Sequence, residues 1–133
     1  MQGRVVVRYA DGRILKGHTA DFLPTTEALF HLTTTDRPGA NPEEIRIAEL
    51  KAVFFVRELR GQVDHRERQD FDPTRRLVGR KIRVRFKDGE ILVGTTLDYQ
   101  LKCLGFFVIP ADPGSNNEAC FIVSSAVRDL AFI

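Results

Sequence analysis

Residues 5 to 22 read VVVRYADGRILKGHTADF, and residues 82 to 99 read IRVRFKDGEILVGTTLDY. Aligned at a separation of 77 positions, the segments share nine identities, from Val7/Val84 to Asp21/Asp98, and three close exchanges, Val5/Ile82, Tyr9/Phe86 and Phe22/Tyr99. A 133-residue chain that writes one pattern twice is constrained to fold as two related units. Each unit has about 55 residues, close to the smallest size at which a core sustains itself, so the two are expected to pack together.

In the second copy Ile82, Val84 and Phe86 alternate with Arg83, Arg85 and Lys87, the period-two pattern of a strand with one buried face and one wet face. Asp88-Gly89 follows, and Asp11-Gly12 stands at the same place in copy one. Asp-Gly between alternating segments predicts a two-residue type I′ hairpin. That register sets Phe86 opposite Ile91, Val84 opposite Val93 and Lys87 opposite Glu90, with Leu15 and Leu92 facing outward. Gly17 and Gly94 then interrupt the second strand, where a glycine marks a bend or a close backbone approach.

Third strands are expected around residues 30–32 and 106–109, fourth strands around 45–47 and 120–123, and short fifth strands at 53–56 and 130–133, the last without a tail. The turn-rich stretches TTTDRPGANPEE and PADPGSNNEA separate the third strands from the fourth. Residues 42–59, PEEIRIAELKAVFFVREL, hold many helix formers. Their counterpart FIVSSAVRDLAFI is rich in β-branched residues, so both read as strand, one helical turn near 48–51 and 125–128, then strand. The expectation is an all-β protein of two tandem five-stranded small barrels with short helical turns before the last strands. Residues 1–57 form the first barrel, 58–79 an Arg-rich linker and 80–133 the second barrel.

Gly89, Gly94 and Asp98 in IRVRFKDGEILVGTTLDY stand at the spacing of the first Sm motif, and FIVSSAVRDLAFI is loosely similar to the second. The chain thus resembles the Sm-like and SH3-like small barrels. The Sm-like resemblance implies RNA binding, although Leu101 and Lys102 occupy the place of the Asn that reads RNA there. The stretch GFFVIPADPGSNNEACFIVSSAVRDLAFI resembles an uncharacterised bacterial family of tandem small-barrel modules, which implies a fold and no activity.

Composition narrows the function classes. A formal net charge of +2 is too mild to imply nucleic acid by itself. No uninterrupted apolar stretch exceeds the length of Ala52 to Val56, and no apolar segment follows Met1, so a cytoplasmic protein with no membrane partner is expected. Cys103 and Cys120 read as reduced structural thiols. There is no Gly-rich phosphate loop, Gly-x-Ser-x-Gly elbow or His-Glu-x-x-His, and His18, His31 and His65 are scattered. No enzyme, cofactor or metal is expected. Asp21 and Asp98 read as acids that cap a local turn.

Residues 57–81 hold seven Arg and one Lys against five acids, the mixture of a solvated connector. Within it Arg76-Leu-Val-Gly-Arg80 resembles the Arg-x-x-x-Arg of PilZ domains, which implies cyclic di-GMP, but Gln100 and Cys103 stand where the second PilZ motif needs Ser and Gly. Phe54-Phe55 and Phe106-Phe107 are neighbours on strands, so each pair sends its rings to opposite faces. The outer rings need cover from the sister unit, from a homodimer or from a partner. The functional expectation is a non-catalytic binding or adaptor module of bacterial regulation. It would engage a protein partner through an exposed barrel edge or through the PADPGSNN loop with Asn116 and Asn117. The alternative is RNA or cyclic-dinucleotide binding through Arg75, Arg76, Arg80, Arg83 and Arg85.

Overall fold

Alternation of apolar and polar residues builds ten strands, all paired antiparallel. The computed structural model describes residues 1–34, 41–61, 66–74 and 76–133. The strands are β1 Gly3–Tyr9, β2 Ile14–Thr19, β3 Leu29–Thr34, β4 Glu43–Arg46, β5 Leu50–Val56, β6 Arg80–Phe86, β7 Ile91–Thr96, β8 Gly105–Pro110, β9 Asn117–Val123 and β10 Val127–Phe132. Single 3₁₀ turns, Ile47–Glu49 and Ser124–Ala126, join β4 to β5 and β9 to β10, so the helix formers of 42–59 yield one turn only. Among the described residues no helix is long and apolar enough to cross a membrane.

The strands form one sheet in the order β10-β6-β7-β8-β9-β5-β1-β2-β3-β4. Each repeat contributes five consecutive strands in equivalent order, and the halves join where β5 pairs with β9. In place of two separate tandem barrels, the chain forms a single open sheet whose terminal strands β4 and β10 pair on one side only among the described residues.

The hairpins fall where Asp-Gly predicts them, but their register is one residue off. Arg85 lies opposite Ile91 and Val84 opposite Leu92, not Phe86 opposite Ile91. The Phe86 N–H donates to the Glu90 carbonyl and the Gly89 N–H to the Phe86 carbonyl, so the loop has three residues. Only glycine takes positive φ, 93° at Gly89 and 99° at Gly12, as in a type I turn closed by a bulge. Asp88 and Asp11 hold that turn by accepting from the Glu90 and Arg13 N–H groups at 3.0 Å. A one-residue slip flips every side chain. Leu92 is therefore buried and Leu15 packs on the core, while Ile14 and Ile91 face outward. Glu90 meets Lys51 and Arg8 instead of Lys87.

The paired phenylalanines separate onto two cores. Ala52, Phe54 and Val56 of β5 belong to the core of the second repeat, whereas Val53 and Phe55 belong to the first. Strand β9 does the reverse, giving Phe121 and Val123 to the first core and Cys120 and Ile122 to the second. The outer rings are thus covered by the sister repeat. Lys51, buried at the same joint, pairs with Asp88 at 2.7 Å and with Glu90, and lies over the Phe86 ring.

Gly17 and Gly94 stand where three strands crowd. Gly94 pairs with both Ile82 and Pro110, and a Cβ added there would fall 2.1 Å from the Ile109 carbonyl oxygen. Gly17 is in the same position against Thr33.

Candidate functional site

A cleft of about 500 Å³ opens beside the joint, between the outer face of β1–β2 and the start of β7. Val6, Phe54, Val56 and Leu92 supply apolar walls, and Arg8 and Glu90 meet across it at 3.4 Å. Asn116 and Asn117 also line it. The facing charges already pair within the molecule, which leaves a mixed rim of no single sign.

The PADPGSNN loop is built inward. The Asn116 side chain donates to the Glu58 carbonyl (2.9 Å) and accepts from the Glu58 N–H (3.0 Å), while Arg57 Nε donates to the Ser115 carbonyl (3.1 Å). Buried Asp112 accepts from the N–H groups of Arg68 and Gly114. Farther along, Gln69 donates to the Ile91 carbonyl, and the Lys81 ammonium lies over the Phe71 ring. The described part of the linker is thus strapped to the second repeat, and Asn116 is spent on that strap.

The basic residues do not converge. Arg75 lies outside the described residues, and Arg76 is exposed. Arg83 and Arg85 share the outer face of β6, where Arg85 lies 3.9 Å from Asp129. Arg80 has the opposite parity, and its guanidinium stacks 3.6 Å from the centre of the Phe132 ring. Side chains on opposite faces of one strand cannot grip one phosphate together.

Around Phe132 the sequence reading missed a group of residues. Leu97, Tyr99, Phe132, Gly79 and Arg80 line a recess of about 120 Å³. On the other side of Tyr99, a recess of about 230 Å³ is lined by Phe106, Val127, Leu130, Lys102 and Arg128. Leu97 is 78% exposed and Phe132 39%. The available signal was the alignment itself, which matches Tyr99 with buried Phe22 and Phe132 with buried Phe55.

Asp21 and Asp98 are structural, in a manner different from a cap on their own turn. Asp21 accepts from the His31 N–H at 2.9 Å and from the Thr19 hydroxyl at 3.3 Å, and His31 Nδ1 stands 2.7 Å from its other oxygen. Asp98 accepts from the Phe107 N–H and the Thr96 hydroxyl in the same way. Each acid therefore ties the entry of the third strand to the end of the second. Partial desolvation opposes ionisation of Asp21, but the hydrogen bonds from His31 and Thr19 outweigh it and hold the carboxyl below its ordinary value. A carboxyl whose native pKa is lowered adds stability above the ordinary carboxylate range and loses it as pH falls through the native value. Asp21→Asn should thus cost about 1 kcal/mol at neutral pH. Its melting curve should converge with that of the unmodified protein below about pH 4. A gap that persists in acid would assign the cost to shape and not to charge.

Among the described residues no group of three or more His, Cys, Asp and Glu could hold a metal ion. Cys120 is wholly buried, which pushes its thiol far above the ordinary range, and Cys103 lies 3.7 Å from the Ser124 hydroxyl. Fold and surface together define an all-β protein with one open antiparallel sheet, a cleft at its joint and, among the described residues, an apolar recess at β10 left open. The chain belongs to DUF6982, a family of unknown function whose model matches residues 1–133. No curated protein and no solved structure matches it.

Proposed function

We propose that the chain is a non-catalytic binding module, two small Sm-like or SH3-like units fused in one sheet, that engages a protein partner in bacterial regulation. The observation that carries this reading is the recess at Leu97, Tyr99 and Phe132, where apolar side chains remain in water. Exposed apolar surface grouped around a recess favours a protein contact.

The competing nucleic-acid or cyclic-dinucleotide reading makes a different prediction. Binding through phosphate weakens steeply between about 50 and about 200 mM salt, whereas an apolar contact does not. Partner capture by the full chain should persist across that range, survive Arg76→Ala with Arg83→Ala, both exposed and outside the recess, and fall with Leu97→Ser. Titration with an RNA oligonucleotide and with cyclic di-GMP should show no saturable binding. Salt-sensitive binding of either that vanishes in the double Arg variant would overturn the protein-partner reading.

A further inference from the structure

The two repeats allow one binding site to be seen both filled and empty. In the first repeat Phe22 packs on Phe30 at 4.9 Å and on Phe55 at 5.6 Å between ring centres. In the second, Tyr99 packs on Phe106 at 5.0 Å and on Phe132 at 5.6 Å. The matching extends to the ladders: Val53 and Phe55 lie opposite Val7 and Val5, as Leu130 and Phe132 lie opposite Val84 and Ile82. The difference is what covers each cluster. Strands β8 and β9 bring Phe107 and Phe121 onto Phe22, at 6.3 and 5.3 Å, and Phe22 is fully buried. Among the described residues nothing pairs with the outer edge of β10, and Phe132 is 39% exposed where Phe55 is 7%.

We propose that the free edge of β10 takes an extended segment of a partner protein as an added antiparallel strand, seated as β9 is seated on β5. This rests on the binding-module reading and identifies what the module binds. The Ile133 N–H donates to the Lys81 carbonyl, so antiparallel alternation turns the backbone groups of Leu130 and Phe132 toward the open side. These offer main-chain hydrogen bonds, while alternate side chains of the added strand enter the recess. On β9, Ala119 lies opposite Phe55 and Phe121 opposite Val53, with Val123 in the same core. The matching ligand therefore carries a small residue opposite Phe132, an aromatic opposite Leu130, and a branched aliphatic two residues on. Lys102 and Arg128 stand at the rim beside Asp129 and, with Arg80 over Phe132, leave it net basic, which favours acidic flanks.

The other edge strand, β4 of a second copy, does not fit this edge. It is the aligned counterpart of β9, but Pro42, Glu44 and Arg46 stand there in place of Ala119, Phe121 and Val123. Pairing β4 with β10 would press Glu44 on Leu130, and short charged edges with proline resist such pairing.

The test is a titration of the isotope-labelled full chain with a synthetic peptide carrying residues 115–124, with serine in place of Cys120. Amide shifts and slowed exchange are expected at residues 128–133 and at Tyr99. Changing the aromatic of the peptide to Asp, or Phe132→Ala in the protein, should weaken binding by about tenfold or more. Arg128→Glu, on an exposed side chain that leaves the fold intact, should weaken it also. Shifts centred on β4 or the cleft, equal affinity for the Asp peptide, no binding, or a dimer through β10 in sedimentation would each overturn the proposal. If salt-resistant partner capture persists in that event, the binding-module reading stands without this site; if capture is absent as well, both fall.

Discussion

A fragment comprising residues 1–61 is expected to remain unfolded, with a coil-like far-UV spectrum and no cooperative thermal transition. The core of the first repeat includes Phe121 and Val123 and packs against Phe107 and Ala119, all from the other half of the chain. Cutting the chain also strips the cover from Phe54 and Val56, whose partners lie in the second core. Phe54, Val56, Phe121 and Val123 at about 1.5–3 kcal/mol each sum to roughly 6–12 kcal/mol, comparable to the whole stability of a typical domain. A unit this small has no reserve to absorb such a loss. A cooperative melt of the fragment would show that the repeats are independent domains.

Gly94→Ala should be the most damaging single methyl in the chain. The added Cβ would lie 2.1 Å from the Ile109 carbonyl oxygen and 2.6 Å from Val108 Cγ1, and a backbone oxygen fixed in a ladder does not step aside. Separation of β7 from β8 is the only relief. We expect a loss of about 3 kcal/mol or more, near the upper range for overpacking, and a fall in Tm of about 10 °C. Gly89→Asn is the control. That position has positive φ and nothing within 4 Å of an added Cβ, so Asn should cost about 1 kcal/mol or less. A loss at Gly94 no larger than that at Gly89 would mean that the approach of β8 does not set the requirement for glycine there.

These two glycines also show what could be read from the sequence. A glycine inside a strand pattern announced the crowding at Gly94, and Asp-Gly located both hairpins. The register was hidden because two-residue and three-residue loops both place Gly at positive φ. They differ in whether the preceding Asp also adopts it, which the residue type does not reveal. The Phe-Phe pairs were legible as double-sided strands, since neighbours on a strand must face apart. The separation of Arg80 from Arg83 and Arg85 was legible by the same parity, although grouping them by charge concealed it. The inward PADPGSNN loop was not legible. Its partners Arg57 and Glu58 lie 58 positions from Ser115 and Asn116 respectively, and no local pattern encodes such a meeting. The recess at β10 follows from matching Phe132 with Phe55, but only after β9 is known to cover the latter.

The ladder between β5 and β9 is also expected to form last in folding. The hairpins β1–β2 and β6–β7 close through three-residue turns, whereas Ala52 meets Ile122 across 70 positions of chain. Local contacts form early and distant ones late, because loop closure costs entropy before any contact repays it. Until that last ladder forms, β5 presents Phe54 on one face and Phe55 on the other beside an unpaired edge. Refolding should therefore be gated by the joint, and the species that waits there is the one most exposed to aggregation.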